Sequence, residues 1–155
     1  MKRSGFTLIE LLIVVGIIAI LVVVVFASLN PVELFGKSRN AQRWVNVSEL
    51  LTALHVYTIQ NEGIVPNQNQ WTDGVYYVLG TKTKACAETC GAIPVLDQCL
   101  NLTDLLKAKG ISQIPIDPLQ GNEGNTGYYV YRENGTIITV GACFGEQNTN
   151  IKLSR

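Results

Sequence analysis

Glu10 is a carboxylate inside a long apolar run, and it is the only ionisable side chain between Phe6 and residue 29. A carboxylate at membrane depth costs about 2.5–3.5 kcal/mol on insertion scales, and such residues usually have a partner. At the level of the lipid headgroups the carboxylate is simply solvated. Packed among other helices away from water it needs a cation, and a free α-amino group at Phe6, made by cleavage after Gly5, would supply one.

Four cysteines form the second set of residues with chemistry: Cys86, Cys90, Cys99 and Cys143. An even number of cysteines in an exported region predicts two disulfides, and three pairings are open. Cys143 ends the last predicted strand and Cys99 precedes a predicted short helix, which favours Cys99–Cys143 together with Cys86–Cys90. Zinc binding is the alternative, but the gaps of three, eight and 43 residues include no Cys-x-x-Cys pair.

A small basic cluster follows the apolar run and consists of Lys37, Arg39 and Arg43. It suits contact with the acidic surface of a neighbouring subunit, with lipid phosphates or with DNA, although a solvated helix face is the favoured interpretation. The chain has 12 Lys and Arg against 12 Asp and Glu. This zero net charge gives no basic footprint, so nucleic-acid binding has no support.

The other residue types predict no catalytic site. His55 is the only histidine, so a histidine metal site or a histidine-based catalytic group has little support. The sequence contains no glycine-rich phosphate loop, no plausible catalytic triad and no metalloprotease motif, and we expect neither an enzyme nor a cofactor. Asn46, Asn101 and Asn134 open glycan acceptor patterns, which arise often by chance and carry no prediction here.

The element that carries Glu10 is predicted to be a membrane-spanning helix. Residues 11–29 are 19 uncharged residues, which cover about 28 Å as a helix, close to a bilayer core of about 30 Å. Lys2 and Arg3 would hold the N-terminus in the cytoplasm. A secretory signal peptide that ends near Ala27 is the alternative, but its apolar region usually has only about 7–15 residues.

Beyond Pro31 the helical pattern resumes as an amphipathic stripe that would pack under a small domain. The stripe consists of Trp44, Val47, Leu51, Leu54 and Thr58. Gly63 and Pro66 are expected to end this helix. Together with the apolar run, the pattern predicts one helix from about residue 7 to about residue 61.

The last 92 residues are predicted to form a sheet. Residues 75–79 have a strand pattern, and residues 128–133 and 136–140 flank Asn134-Gly135, a strong hairpin signal. Residues 102–109 predict a short helix. A sheet this small needs cover on one face, so the fold class is α+β, with the amphipathic half of the helix packed on three or four antiparallel strands. A disordered chain is excluded by 47% hydrophobic and 15% charged residues.

The basic leader and the start of the apolar run resemble the processing site of type IV pilins and pseudopilins. The residues that carry this resemblance are Lys2-Arg3-Ser4-Gly5 followed by Phe6-Thr7-Leu8-Ile9-Glu10-Leu11. It implies cleavage between Gly5 and Phe6, N-methylation of Phe6, and polymerisation through the apolar helix. It also implies that Glu10 compensates the N-terminal charge of a neighbouring subunit. Many family members have a proline where this chain has Ala27, and Pro31 comes four residues later, which leaves open where the helix bends.

This resemblance implies four segments of a type IV pilin-like chain. They are a leader (1–5), an apolar membrane and filament-core helix (6–30), its amphipathic continuation (31–63) and a globular head (64–155). The partners it implies are a prepilin peptidase, the inner-membrane assembly machinery and further copies of the chain. The protein would sit in the inner membrane with a single pass and then become a structural subunit of a type IV pilus on the cell surface. The alternatives are a pseudopilin of a type II secretion system and a membrane-anchored binding domain that never polymerises.

A second, shorter resemblance concerns Pro115-Ile116-Asp117-Pro118 and the glycine-rich loop before Tyr128, which resemble the end of major pseudopilins. Some of those bind calcium there, and Asp117 and Glu123 would supply oxygen ligands. Two carboxylates are few for an ion that takes about six to eight oxygens, so a plain turn is favoured and no metal is expected. This region favours a pseudopilin, whereas the two cysteine pairs favour a pilin.

Overall fold

The computed structural model describes residues 5–28, 30–86, 90–91, 93–103, 106, 113–135 and 137–155. The chain divides into two compact units, and the boundary in the sequence falls between Phe35 and Gly36. Residues 1–4 of the leader lie outside the described residues, and so does most of the predicted short helix at 102–109.

Two helices form where the periodicity predicts one. Helix α1 spans Leu8–Ser28 and helix α2 spans Pro31–Gln60. Pro31 disfavours a helical conformation in the residue before it, but its fixed φ suits the first position of a new helix. Asn30 accordingly caps α2: its side-chain Oδ1 accepts a hydrogen bond from the Glu33 amide at 3.5 Å, and its backbone carbonyl oxygen accepts one from the Leu34 amide at 3.2 Å.

The sheet has four antiparallel strands in the order β1-β2-β3-β4. The strands are β1 (Tyr76–Val78), β2 (Tyr128–Glu133), β3 (Ile137–Ala142) and β4 (Lys152–Ser154). The predicted hairpin is confirmed: β2 pairs with β3, and the turn residues Asn134 and Gly135 have φ of 50° and 72°. The α+β fold class is therefore confirmed.

One face of the sheet packs against α2 and forms the main core. From α2 this core includes Val47, Leu50 and Leu54, which are all fully buried. They pack with Val130 and Val140 of the sheet. The predicted stripe is right for Val47, Leu51 and Leu54 but wrong for Trp44, whose side chain is 38% exposed. The neighbouring Arg43 is buried in its place, because its guanidinium finds carboxylate partners inside the unit.

The opposite face of the sheet is covered by the loop that carries the cysteines. A second cluster of buried residues consists of Val78, Cys86, Cys90, Cys99 and Tyr129. Tyr129 lies opposite Gly141 in the β2–β3 register, and a Cβ atom on Gly141 would lie 2.4 Å from the Tyr129 ring. The glycine therefore leaves the space that this ring occupies, and the small sheet is covered on both faces.

Candidate functional site

The start of α1 is fixed by a reciprocal hydrogen-bond pair between Thr7 and Glu10. The Thr7 hydroxyl accepts from the Glu10 amide at 3.3 Å, and Glu10 Oε2 accepts from the Thr7 amide at 2.9 Å and from its hydroxyl at 2.7 Å. This is a capping box, in which the residue before the helix and the third helical residue satisfy each other's amides. Its signal in the sequence is the Thr-x-x-Glu pattern of residues 7–10, which shows that Glu10 has a local partner in Thr7.

The capping box holds the carboxylate through one oxygen. Both hydrogen bonds to the Glu10 side chain end on Oε2, and among the described residues Oε1 has no hydrogen-bond partner. Glu10 therefore stays locally ordered while one oxygen remains able to accept from a cation. Gly5 and Phe6, the residues on either side of the predicted cleavage point, are both exposed.

Helix α1 presents apolar side chains on every side. None of its residues is buried in the unit, and Leu8 and Phe26 are 84% and 73% exposed. In the described part of the chain it is the one helix long and apolar enough to cross a membrane, a test that a signal sequence would also pass. Such a surface requires lipid or other protein as cover, because soluble monomers rarely expose apolar patches of this size.

The cysteines form two disulfides, but the predicted pairing is wrong. The bonds are Cys86–Cys99 and Cys90–Cys143. The loop folds back on itself, so that the Cys86 amide donates to the Asp97 carbonyl at 2.9 Å and brings Cys86 beside Cys99. Cys90 then bonds to Cys143, which directly follows the end of β3. All four sulfurs are consumed, so the zinc alternative has no thiolate ligands.

A fully buried ion pair joins α2 to the loop before β2. Arg43 donates from Nε to one carboxylate oxygen of Asp117 at 2.6 Å and from Nη2 to the other at 3.1 Å, and both side chains have zero exposure. Asp117 also accepts from the backbone amides of Leu119 and Gln120 at 2.9 and 3.1 Å. A buried charge needs both an opposite charge and hydrogen bonds, and this arrangement supplies them.

The same guanidinium reaches the loop after β3. Arg43 Nη1 donates to Glu146 at 2.7 Å, and Arg39 binds both carboxylate oxygens of Glu146 from its Nε and Nη2 atoms. Hydrogen bonds from Arg39 and then from Arg43 lower the pKa of Glu146 to about 2. Asn40 adds hydrogen bonds to the Glu146 backbone at 2.9 and 3.0 Å. We call Arg39, Asn40, Arg43, Asp117 and Glu146 the arginine clamp.

The arginine clamp corrects one expectation from the sequence and shows what Asp117 does. Arg39 and Arg43 do not form a solvated or partner-binding face, because their charges are used within the unit. Asp117 caps a turn and pairs with Arg43, so its oxygens are engaged without calcium. Glu123 is exposed, and the described residues include no group of three potential metal ligands. Nothing in the sequence marks Glu146 as the partner of two arginines more than 100 residues away.

Two further polar residues lie inside the globular unit. Asn46, the first residue of a glycan acceptor pattern, is buried and donates to the Tyr128 hydroxyl at 2.8 Å, so it is not accessible to a glycan. His55 has a buried Nε2 with no hydrogen-bond partner among the described residues. Burial, together with the positive charge of Arg155, lowers the pKa of His55.

Comparison with known families identifies the N-terminal segment. Residues 1–26 match the model of the prokaryotic N-terminal methylation motif. The chain carries the type IV pilin and pseudopilin leader signature. This match points to a structural protein of the pilin or pseudopilin class, and with α1 it fits membrane anchoring before assembly. No curated protein and no solved structure matches the chain.

Proposed function

We propose that this chain is the structural subunit of a type IV pilus. A membrane prepilin peptidase cleaves it between Gly5 and Phe6, the new amine of Phe6 is methylated, and the inner-membrane assembly machinery moves it into a filament of identical copies on the cell surface. The observation that carries the proposal is the methylation motif over residues 1–26, followed by a helix with apolar side chains exposed on every side. Two disulfides in the globular unit fit a subunit that works outside the cell.

Glu10 is the residue proposed to direct assembly. In a bundle of α1 helices the Phe6 amine enters a medium of low dielectric constant and needs an anion. Glu10 Oε1 is the carboxylate oxygen that the capping box does not use. A buried charge that loses its partner costs about 3–5 kcal/mol, and in a filament this cost recurs at every subunit.

Removing the charge of Glu10 without removing its hydrogen bonds tests this mechanism. Glutamine also completes a capping box, so Glu10→Gln should keep the start of α1 intact while it leaves the neighbouring amine unpaired. We expect Glu10→Gln and Glu10→Ala to insert into the membrane normally and to give few or no sheared fibres, and Glu10→Lys to be worse. Thr7→Val, which breaks the capping box and keeps the carboxylate, is the matched control and should retain most of the fibre yield. Normal fibre yield from Glu10→Gln would refute charge pairing.

The mass of the mature chain tests the processing step. Loss of residues 1–5 and the gain of one methyl group are expected. A chain that begins near Ser28 would instead identify a signal peptide, and a chain that keeps Gly5 would identify a membrane-anchored domain that does not polymerise. Imaging of cells separates the pilus from the second candidate, a pseudopilin of type II secretion, because the proposal requires long surface fibres.

A further inference from the structure

Gln70 lines two cavities of the globular unit. One has a volume of about 370 Å³ and is lined by Tyr57, Ile64, Val65, Asn67, Gln68, Asn69 and Gln70. The other has a volume of about 330 Å³ and is lined by Gln70, Tyr77, Leu96, Gln98, Cys99 and Leu100. The described residues that line them include no charged side chain. Five amide side chains and two tyrosines therefore provide the polar chemistry of this surface, which we call the amide surface.

The loop that carries the amide surface is anchored at both ends. Val65 and Trp71 are 3% and 1% exposed, so each end of the loop is held in the core. Between them the backbone amide of Gln70 donates to the backbone carbonyl of Asn67 at 2.8 Å. The Asn67 side chain donates to the Asn101 carbonyl at 2.7 Å. A loop whose backbone is fixed in this way loses less entropy when a ligand binds, because only the exposed amide side chains remain to be ordered.

The lining selects a ligand by its charge and by its hydrogen-bonding groups. A charged ligand that lost water here would find no opposite charge, which makes its binding unfavourable. Each Asn or Gln side chain offers two donor hydrogens and an acceptor oxygen. Neighbouring hydroxyl groups on a sugar ring both donate and accept, so they match such amides. The tyrosine rings add apolar area of the kind that small-ligand sites combine with a few fixed polar groups.

We propose that the amide surface is a binding site for neutral oligosaccharides. Gln70, which lines both cavities, would contact a chain of sugar residues that extends from one cavity into the other. Gln98 would contact only the part of the ligand in the second cavity. The site uses none of the residues proposed for processing and assembly, so it stands independently of the filament.

Side-chain amide resonances of the isotope-labelled full chain in detergent give a direct test. Three neutral probes, maltotriose, lactose and N,N′-diacetylchitobiose, are titrated separately, with sialyllactose as an acidic probe and triglycine as a neutral peptide. We expect at least one neutral sugar to shift the side-chain resonances of Gln70 and Gln98 in a saturable way. The acidic sugar and the peptide should leave them unchanged.

Variants then locate the binding. Gln70→Ala should weaken the binding of that sugar about tenfold, as the loss of one or two hydrogen bonds implies, and Gln98→Ala should weaken it less. Gln120→Ala, at an exposed position outside both cavities, is the matched control and should bind like the parent chain. If Gln70→Ala does not fold, the comparison of Gln98→Ala with Gln120→Ala decides. The proposal is overturned if no neutral sugar shifts Gln70, if triglycine binds in place of the sugars, or if the glutamine variants bind as well as the control. Because the titration needs neither leader cleavage nor a filament, failure here leaves the pilus proposal untouched.

Discussion

Replacing Arg43 with methionine tests whether the arginine clamp holds the globular unit together. Methionine has a similar length and no charge, so Arg43→Met removes the cation and keeps much of the packing. Asp117 is then left fully buried without its ion-pair partner, although the backbone amides of Leu119 and Gln120 still donate to it. Glu146 keeps its contact with Arg39. The cost of the variant should therefore come mainly from Asp117.

The expected loss of stability is large for a single buried ion pair. Breaking a buried ion pair by removing one partner costs about 3–5 kcal/mol. The unit from Gly36 to Arg155 has an unfolding entropy of about 0.25 kcal/mol/K by size scaling, so the melting temperature should fall by about 12–20 °C. Arg39→Met is the matched control. The Arg39 side chain is 28% exposed, and such pairs contribute only about 0–1 kcal/mol, or about 4 °C at most.

Thermal unfolding of the full chain in detergent, followed by circular dichroism with the disulfides intact, measures both variants. A second comparison isolates the cause. Asp117→Asn keeps an oxygen for the two backbone amides and removes the negative charge, so the double variant Arg43→Met with Asp117→Asn should recover at least half of the loss. Two results would contradict this reasoning: Arg43→Met costs no more stability than Arg39→Met, or the double variant is no more stable than Arg43→Met alone. Either result would mean that pairing the buried Asp117 charge is not how the clamp stabilises the globular unit.

The two disulfides should differ in their contribution, because they close loops of different length. Replacing Cys90 and Cys143 with alanine opens a loop with a separation of 53 residues and should cost about 4 kcal/mol, whereas replacing Cys86 and Cys99 opens one of 13 residues and should cost about 3 kcal/mol; equal urea midpoints, or the opposite order, would contradict the entropic argument. His55 gives a pH dependence: its pKa is lowered in the folded state, so the unfolded state binds more protons and stability should fall as the pH drops below about 6.5. In His55→Gln the urea midpoint should depend less on pH between about pH 7.5 and pH 5. If the midpoint of this variant changes with pH as much as that of the parent chain, other groups cause the pH dependence.

The sequence predicts those parts of the fold that depend on local patterns. The apolar run predicts α1, the alternation of residues around Asn134-Gly135 predicts the hairpin, and the spacing of Val47 and Leu54 predicts the buried face of α2. Strand β4 was not predicted, because three residues with one apolar side chain give too short a pattern to recognise.

The candidate sites divide in the same way. The processing and assembly residues at the N-terminus are close together in sequence, so their types and spacing are readable directly. The disulfide pairing and the arginine clamp depend on how loops far apart in the chain meet. Arg43 looks like any helical arginine until Asp117, 74 residues later, is placed beside it. The sequence shows that Arg43 is charged, but it does not show that Asp117 pairs with it and so allows it to lie in the core.

The position of the arginine clamp has a mechanical consequence for a protein pulled from its N-terminal end. A load that travels along α2 first enters the globular unit at Gly36, where an added Cβ atom would lie 3.0 Å from the Gln147 side chain. Arg39 and Arg43 follow within two turns and grip two separate loops through paired hydrogen bonds. Each arginine holds its loop through two hydrogen bonds, so both bonds of a pair must break before that arginine separates from its loop. The helix would thus resist being drawn off the sheet before the apolar contacts of Val47 carry any of the tension.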